Sequence, residues 1–448
     1  MITIAEEIKN APAITHEDVS NNIGDEILSS VELVELKAMN NKYTHVSVGG
    51  KQLVVMLKPC IINGKTHSFE RISEFQGYFM HTAKIAKMNA GLAWLKWKGK
   101  NFKPAGIGFY PSNNSPNDVF NLYQGFRVNP DGSKSCEVYL SHLEQVICNG
   151  DQPAFKYLVG WLAHLIQRPD EKPSVAIVMK SVEGAGKGTM VKPLLQILGV
   201  HGIQINGAGQ VGGRFNSTME NKLLVFADEV DLTDTVTANK FKGLISESVI
   251  NLERKGIDPE PMPNYSRFIF ASNHDNVIKA GLRERRYLVL EPNPDKAQDD
   301  SYFKQLWGWI NNGGASDLLH YLQSYALDDF KPNQAPVTKA LIAEKLDSLR
   351  PAEKFMYERL SEEKPFLGIC RLPASDLVRE FSDWCEGNAE KTTSSQARSL
   401  IGKVLSKMKV EVKGRSDRGI GKFYEFGIPN EARKKFAGML GHEVKDLF

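Results

Sequence analysis

Cysteine is scarce in this chain. Five residues, Cys60, Cys136, Cys148, Cys370 and Cys385, are scattered through 448 positions, with no C-x-x-C pair and an odd total. That pattern argues against a disulfide scaffold and a zinc site, and it fits a reducing compartment. Long apolar runs are missing too. None approaches the roughly 20 residues that span a bilayer, so no membrane partner is expected. Residues 1–7 lack the basic-then-apolar pattern of a secretory leader. Internal repeats and low-complexity tracts do not occur. Together these absences predict a cytoplasmic protein. Its composition, 42% hydrophobic and 24% charged, is that of an ordinary globular chain. Its length predicts roughly two to four domains.

Charge of one sign is in only slight excess, with a net charge of +3. Its distribution is uneven. From Gln396 to the end there are twelve Lys or Arg against six Asp or Glu. Residues 94–103 also mix basic and aromatic side chains. Both segments are candidates for contact with a polyanion.

Residues 181–189 read Ser-Val-Glu-Gly-Ala-Gly-Lys-Gly-Thr. An apolar run, 175–179, leads in, and a helix-like run, 190–198, leads out. A strand, a glycine-rich turn and a helix N-terminus make a phosphate cradle. Glycines let successive N–H groups turn toward phosphate oxygens, and the helix end adds partial positive charge. Glu183, Gly184, Ala185, Gly186, Lys187, Gly188 and Thr189 form the expected nucleotide-binding set. Lys187 supplies the full charge on the β- and γ-phosphates. Ser181 stands where the usual loop has Gly, and Gly188 where it has Ser or Thr, so Thr189 is the nearest hydroxyl for magnesium.

From 174 to 292 short apolar strands alternate with helices, the pattern of an α/β core. The predicted strands are 175–179, 223–227, 267–272 and 287–290. Such sheets put ligands at the carboxyl ends of their strands. Asp228 and Glu229 end the second strand, which is read as the next strand after the loop. Asp228 is the candidate metal ligand and Glu229 the candidate general base. Asn273 ends the third strand, where an amide can hold a water or a phosphate. Arg285 and Arg286 follow, with delocalised charge suited to a phosphoryl transition state. Residues 241–256 predict a strand running into a basic tip that presents Arg254 and Lys255 to DNA.

The flanks are simpler. Residues 43–48 and 52–57 surround a glycine pair and predict a hairpin. Residues 152–168 have helical periodicity and stop at Pro169. Residues 375–384 and 394–408 predict two helices, followed by strands 410–412 and 423–426 around a basic turn. That order is winged-helix-like. The resulting division is an N-terminal mixed region (1–104), a helical region (105–172), an ATPase core (173–295), a helical region and linker (296–370) and a basic winged-helix-like domain (371–448).

The ordered set 181–189, 223–229, 241–256 and 268–273 resembles a superfamily 3 helicase, in particular the helicase part of phage- and plasmid-type primase-helicases. Residues 119–128 and the Gly-Lys-Gly form of the loop fit that subgroup. The resemblance implies an AAA+ core with α/β three-layer architecture, ATP and Mg2+, a homo-hexameric ring and unwinding of single-stranded and forked DNA. It implies Thr189 and Asp228 on magnesium, Asn273 as a sensor and Lys255 on DNA. Upstream of the core no Asp-x-Asp pair occurs, so a separate primase or polymerase partner is expected. Two other readings are an ATP-gated origin-binding initiator or loader, and an adenylate-kinase-like nucleotide kinase. If phage- or plasmid-encoded, the protein would act in the bacterial host cytoplasm.

Overall fold

The computed structural model describes residues 21–60, 64–207, 217–252, 260–274, 277–281, 284–368, 371–414 and 421–448. Near the N-terminus, helix α1 (Ser30–Asn40) starts at a capping box, in which the Ser29 hydroxyl accepts from Glu32 N and the Glu32 carboxylate accepts from Ser29 N. Strands β1 (Tyr43–Val48), β2 (Lys51–Cys60) and β3 (Gly64–Arg71) follow, then helix α2 (Ala90–Lys96) and strand β4 (Phe102–Lys103). They form a sheet of order β3-β2-β1-β4. The predicted hairpin is present, with Tyr43 opposite Met56, and a third strand extends it.

Of the three aromatics in residues 94–103, two turn inward, while Phe102 is 39% exposed beside Lys100. Trp94 and Trp97 are buried at 0% and 2% exposure, and Trp94 Nε1 donates to Asn40 Oδ1 at 2.8 Å. The spacing of large apolar rings served core packing against Tyr43 and Phe75.

Helix α3 (Gln152–Gln167) has Asp151 as its N-cap and Pro153 in its first turn. It buries nearly every residue from Tyr157 to Ile166, so it is an interior helix rather than a half-exposed one. The central sheet comes next. Its elements are β5 (Ala176–Lys180), α4 (Lys187–Leu198), β6 (Gly202–Asn206), β7 (Leu224–Asp228) and α5 (Thr235–Ser246). After them come β8 (Val249–Leu252), β9 (Glu260–Pro263), β10 (Arg267–Ser272) and β11 (Tyr287–Leu290). The five-stranded sheet has order β6-β7-β10-β5-β11, and every pairing is parallel.

Both faces of this sheet are covered, which is why its strands are continuously apolar. Ile177, Met179, Phe226, Ile269 and Leu288 face α3, α4 and helix α6 (Ala315–Ser324). Val178, Val225, Phe268, Phe270 and Val289 share the opposite core with Phe241 of α5 and Leu341 of helix α7 (Lys339–Asp347). Four of the five strands match the predicted runs within a residue. The fifth, β6, lies between the glycine loop and β7, so the acidic strand is the second one after the loop.

Residues 241–246 belong to α5 and are not a strand. Only β8 and β9 form the predicted hairpin, with Val249 opposite Pro263. Its tip, including Arg254 and Lys255, lies outside the described residues.

The C-terminal part has its own core. It contains α8 (Pro351–Ser361), β12 (Arg371–Pro373), α9 (Ala374–Gly387), α10 (Ser394–Lys407), β13 (Glu411–Lys413), β14 (Phe423–Glu425) and α11 (Pro429–Leu440). The three strands pair antiparallel in the order β12-β14-β13. The N-cap of α10 is Thr393, whose hydroxyl accepts from Gln396 N, rather than Ser394 or Ser395, the serines that open the helical run. The fold as a whole is mixed α/β. Among the described residues no helix is long and apolar enough to cross a membrane.

Candidate nucleotide phosphate site

The loop between β5 and α4 sits at the carboxyl end of β5, beside the central strand β10, where a parallel sheet leaves a crevice. Gly184 and Gly186 have φ of +76° and +87°. These left-handed conformations turn the chain sharply into α4, and glycine adopts them without steric cost. Ser181 N donates to Ser272 O at 3.2 Å, which ties the loop's first residue to the neighbouring strand β10.

Lys187 opens α4 and is 8% exposed. Its ammonium donates to Ser181 O at 2.7 Å, Val182 O at 2.9 Å and Asn273 Oδ1 at 2.7 Å. An ammonium has three donors, so all three are matched. Burial lowers the Lys187 pKa, and the charges of Asp228 and Glu183 oppose that shift. Two residues from separate sequence motifs, Lys187 and Asn273, therefore meet directly, and Asp228 is electrostatically coupled to them.

Asp228 ends β7, half-buried, and its Oδ1 accepts from Glu229 N at 3.1 Å. Glu229 is exposed and has φ of +55°. A non-glycine residue held there stores backbone strain, a common mark of a functional position. Thr189, in the first turn of α4, is buried at 8% exposure, and Gly188 is exposed.

Asp228 and Thr189 offer hard oxygen donors, the type that suits Mg2+. Among the described residues no group of three or more His, Cys, Asp or Glu could hold a metal. Such a donor set fits an ion carried mainly by phosphate oxygens and water, as Mg2+ commonly is.

The two arginines part company. Arg286 Nε donates to Ser246 Oγ at 2.8 Å, and its guanidinium lies 3.6 Å from Glu284. Arg285 is exposed.

Sequence reasoning missed the residues behind the loop. His142 is fully buried, and its Nε2 donates to Gly186 O at 3.3 Å. Its Nδ1 then accepts from the Tyr302 hydroxyl at 2.9 Å. Burial lowers its pKa to about 4. Glu344, 1% exposed on α7, lies 3.3 Å from the ammonium of Lys180, the residue before the loop. It also accepts from Val277 N and Ile278 N at 3.1 Å. A lone histidine outside any motif gave no signal. A glutamate on the apolar face of α7, beside Leu341 and Ile342, did give a weak one.

Residues 179–286, which contain most of this site, match a family described as "Family of unknown function (DUF5906)". The chain is 24% identical over 250 residues to the DNA Primase-polymerase of Nitratiruptor phage NrS-1. That match covers 54% of this chain and 34% of the relative, so the chain spans about a third of that protein's length. Among solved structures, the apo C-terminal region of NrS-1 has a TM-score of 0.66 at 16% identity, covering 89% of this chain and 100% of that one. An A-form apo structure of the same region gives 0.66 at 17% identity, covering 87% and 98%. The chain shares the fold of the NrS-1 C-terminal region.

These comparisons overturn the superfamily 3 helicase reading. The relative is named a DNA primase-polymerase, and its C-terminal region carries the same fold. ATP hydrolysis coupled to unwinding and the hexameric ring fall with that reading. So do the origin-binding initiator and the nucleotide kinase. The separate primase partner falls too, because the relative is itself a primase-polymerase. The physical reason is general: a glycine loop and an acidic strand end specify how a phosphate is gripped, not what the grip drives.

Proposed function

We propose that this chain is a nucleoside-triphosphate-binding region of the phage-type DNA primase-polymerase class, part of an enzyme of DNA synthesis acting in a host cytoplasm. The observation that carries this reading is the Lys187 ammonium, held between the loop carbonyls and Asn273 at the mouth of a glycine turn. A triphosphate, that of ATP or another nucleotide, binds at residues 183–189. The backbone N–H groups of the loop and the Lys187 charge meet its oxygens. Thr189 and Asp228 hold Mg2+, which neutralises phosphate charge. Glu229 is the adjacent general base, Asn273 orients the terminal phosphate, and Arg285 adds charge at the rim. Arg286 serves mainly to brace Glu284 and Ser246. Arg254 and Lys255 remain candidate DNA contacts.

The strand order supports a P-loop core of the AAA+ type over residues 173–295, as a statement of fold and not of activity. The arrangement β12-α9-α10-β13-β14 supports a winged-helix-like unit over 371–448. Exposed Arg398 and Lys403 on α10 support DNA as its partner. Residues 1–104, 105–172 and 296–370 are the accessory regions around these two units.

Equilibrium binding of a fluorescent ATP analogue with Mg2+ tests the nucleotide site. Lys187→Ala should weaken binding at least tenfold, and unchanged affinity overturns the site. Incorporation of labelled deoxynucleotides on a single-stranded template tests the class. Incorporation no higher than in a Mg2+-free control overturns the DNA-synthesis role.

A further inference from the structure

Away from the glycine loop, three cavities adjoin along one side of the molecule. The first, about 350 Å³, includes Lys65, Gln124 and Arg127 in its lining. The second, about 380 Å³, includes Arg127, Lys192, Gln204 and Lys222. Arg127, Gly199 and Val200 belong to both linings, so the two cavities are neighbours. Among the described residues no carboxylate lines either one. Lys222 also lines the third, about 250 Å³, whose walls include Phe109, Tyr110 and Tyr265, with Glu220 as its only acid.

The cationic stretch is built into the fold. Gly64 and Gly199, with φ of +78° and +54°, flank the Arg127 side chain. A Cβ at Gly199 would stand 3.0 Å from Arg127 Cβ, and one at Gly64 would stand 3.3 Å from Arg127 Nε. Glycine at both positions lets the arginine run between β3 and the end of α4. Lys222 Nζ donates to Val200 O at 2.7 Å, which holds that lysine at the junction of the second and third cavities. Lys65, on the first cavity, and Lys192, on the second, are exposed.

We propose that this track binds single-stranded nucleic acid, with phosphodiesters along Lys65, Arg127, Lys192 and Lys222 and one base in the Tyr110–Tyr265 cavity. A cationic groove attracts a phosphate backbone, and the aromatic walls of the third cavity, where Glu220 is the acid among the described lining residues, supply stacking for an unpaired base. A duplex does not fit, because its bases are already stacked and a cavity of about 250 Å³ admits a base only after it has left the stack. The track is separate from the Lys187 site and does not depend on that site's assignment.

The test is fluorescence anisotropy with a labelled oligothymidylate of about 20 nucleotides, longer than the roughly 4–16 that such a groove covers, beside a duplex of equal length. The paired substitution Lys65→Glu and Lys192→Glu should weaken single-strand binding at least tenfold. The neutral pair Lys65→Ala and Lys192→Ala should flatten the slope of log affinity against log salt by about 1.4, the share of two phosphate contacts on a single strand. Both lysines are exposed, so the fold should be retained, and binding of the ATP analogue with Mg2+ should be unchanged. Unaltered affinity and slope in both pairs would overturn the proposal. So would duplex binding as tight as single-strand binding, or an oligonucleotide that binds no tighter than inorganic phosphate competes. Loss of oligonucleotide binding with Lys187 function intact supports it, whatever the outcome at the nucleotide site.

Discussion

The His142 imidazole lies directly behind Gly186: its Nε2 is 3.3 Å from the glycine carbonyl oxygen, and a Cβ added at Gly186 would come within 2.6 Å of the ring. The glycine is therefore required twice over, by its φ of +87° and by the ring behind it. Gly186→Ala should cost about 1–3 kcal/mol, the usual range for a forced backbone conformation, and should weaken nucleotide binding further by moving the loop. Chemical denaturation and binding of the ATP analogue measure the two effects. Wild-type values in both would contradict the geometry.

Asn273 shares the Lys187 ammonium with two carbonyls. Asn273→Ala removes one acceptor and leaves the charge in place. Nucleotide affinity should fall less than in Lys187→Ala, by about threefold to tenfold, in keeping with the net worth of one ordinary hydrogen bond. A loss equal to that of Lys187→Ala would assign Asn273 a larger part than the contact implies.

Because burial lowers the Lys187 pKa, its positive charge is lost at a lower pH than in an ordinary lysine, near 10.4. Triphosphate affinity should hold near neutrality and decline as pH rises toward 10, with a midpoint below that of a free lysine. A titration of binding between pH 7 and 10.5 checks the direction. A midpoint at or above the free value would refute it.

Three buried histidines, His142, His164 and His201, have pKa values lowered to about 4, chiefly by burial. Each uses one ring nitrogen as an acceptor: from the Tyr302 hydroxyl, from the Arg267 guanidinium at 2.9 Å and from Gln124 N at 3.0 Å. Protonation breaks those bonds. The folded-state values lie below the unfolded value near 6.5, so the stability they contribute is full above pH 6.5 and lost as pH falls toward 4. Denaturation midpoints should drop steeply across that window. A flat profile would contradict the assigned tautomers.

Glu344 is the buried member of an ion pair with Lys180 and an acceptor for two backbone N–H groups. Glu344→Ala should destabilise by about 3–5 kcal/mol, because it strands a cation and two donors in the interior. Urea denaturation reads this, and a change below about 1 kcal/mol, the level of an exposed pair, would show the contact to be superficial.

The sequence made the sheet legible where apolar runs were bounded by glycine or charge, as at 267–272 and 287–290. It hid β6, because Gly202-Ile-Gln-Ile-Asn206 alternates at an edge and is short. Residues 241–246 misled because Phe241, Leu244 and Ile245 suit a strand locally, whereas their i, i+3, i+4 spacing faces Phe268 and Phe270 across a helix. At the site, Lys187 and Asn273 were legible because each sits where a strand meets a turn. His142 and Glu344 were not, since they act through contacts some 44 and 164 positions away along the chain. The activity was misread for a different reason. Local chemistry around a triphosphate is shared by proteins that use it for unrelated work.

Helix α7 touches the central-sheet unit through Glu344 and the C-terminal unit through the next residue. Glu344 reaches Lys180, adjacent to the glycine turn, while Lys345 donates to His442 Nε2 at 3.0 Å. The two side chains leave consecutive positions of one helix, so α7 is anchored to both units at the same turn. Substituting either residue therefore loosens α7 from one unit while leaving its other anchor in place.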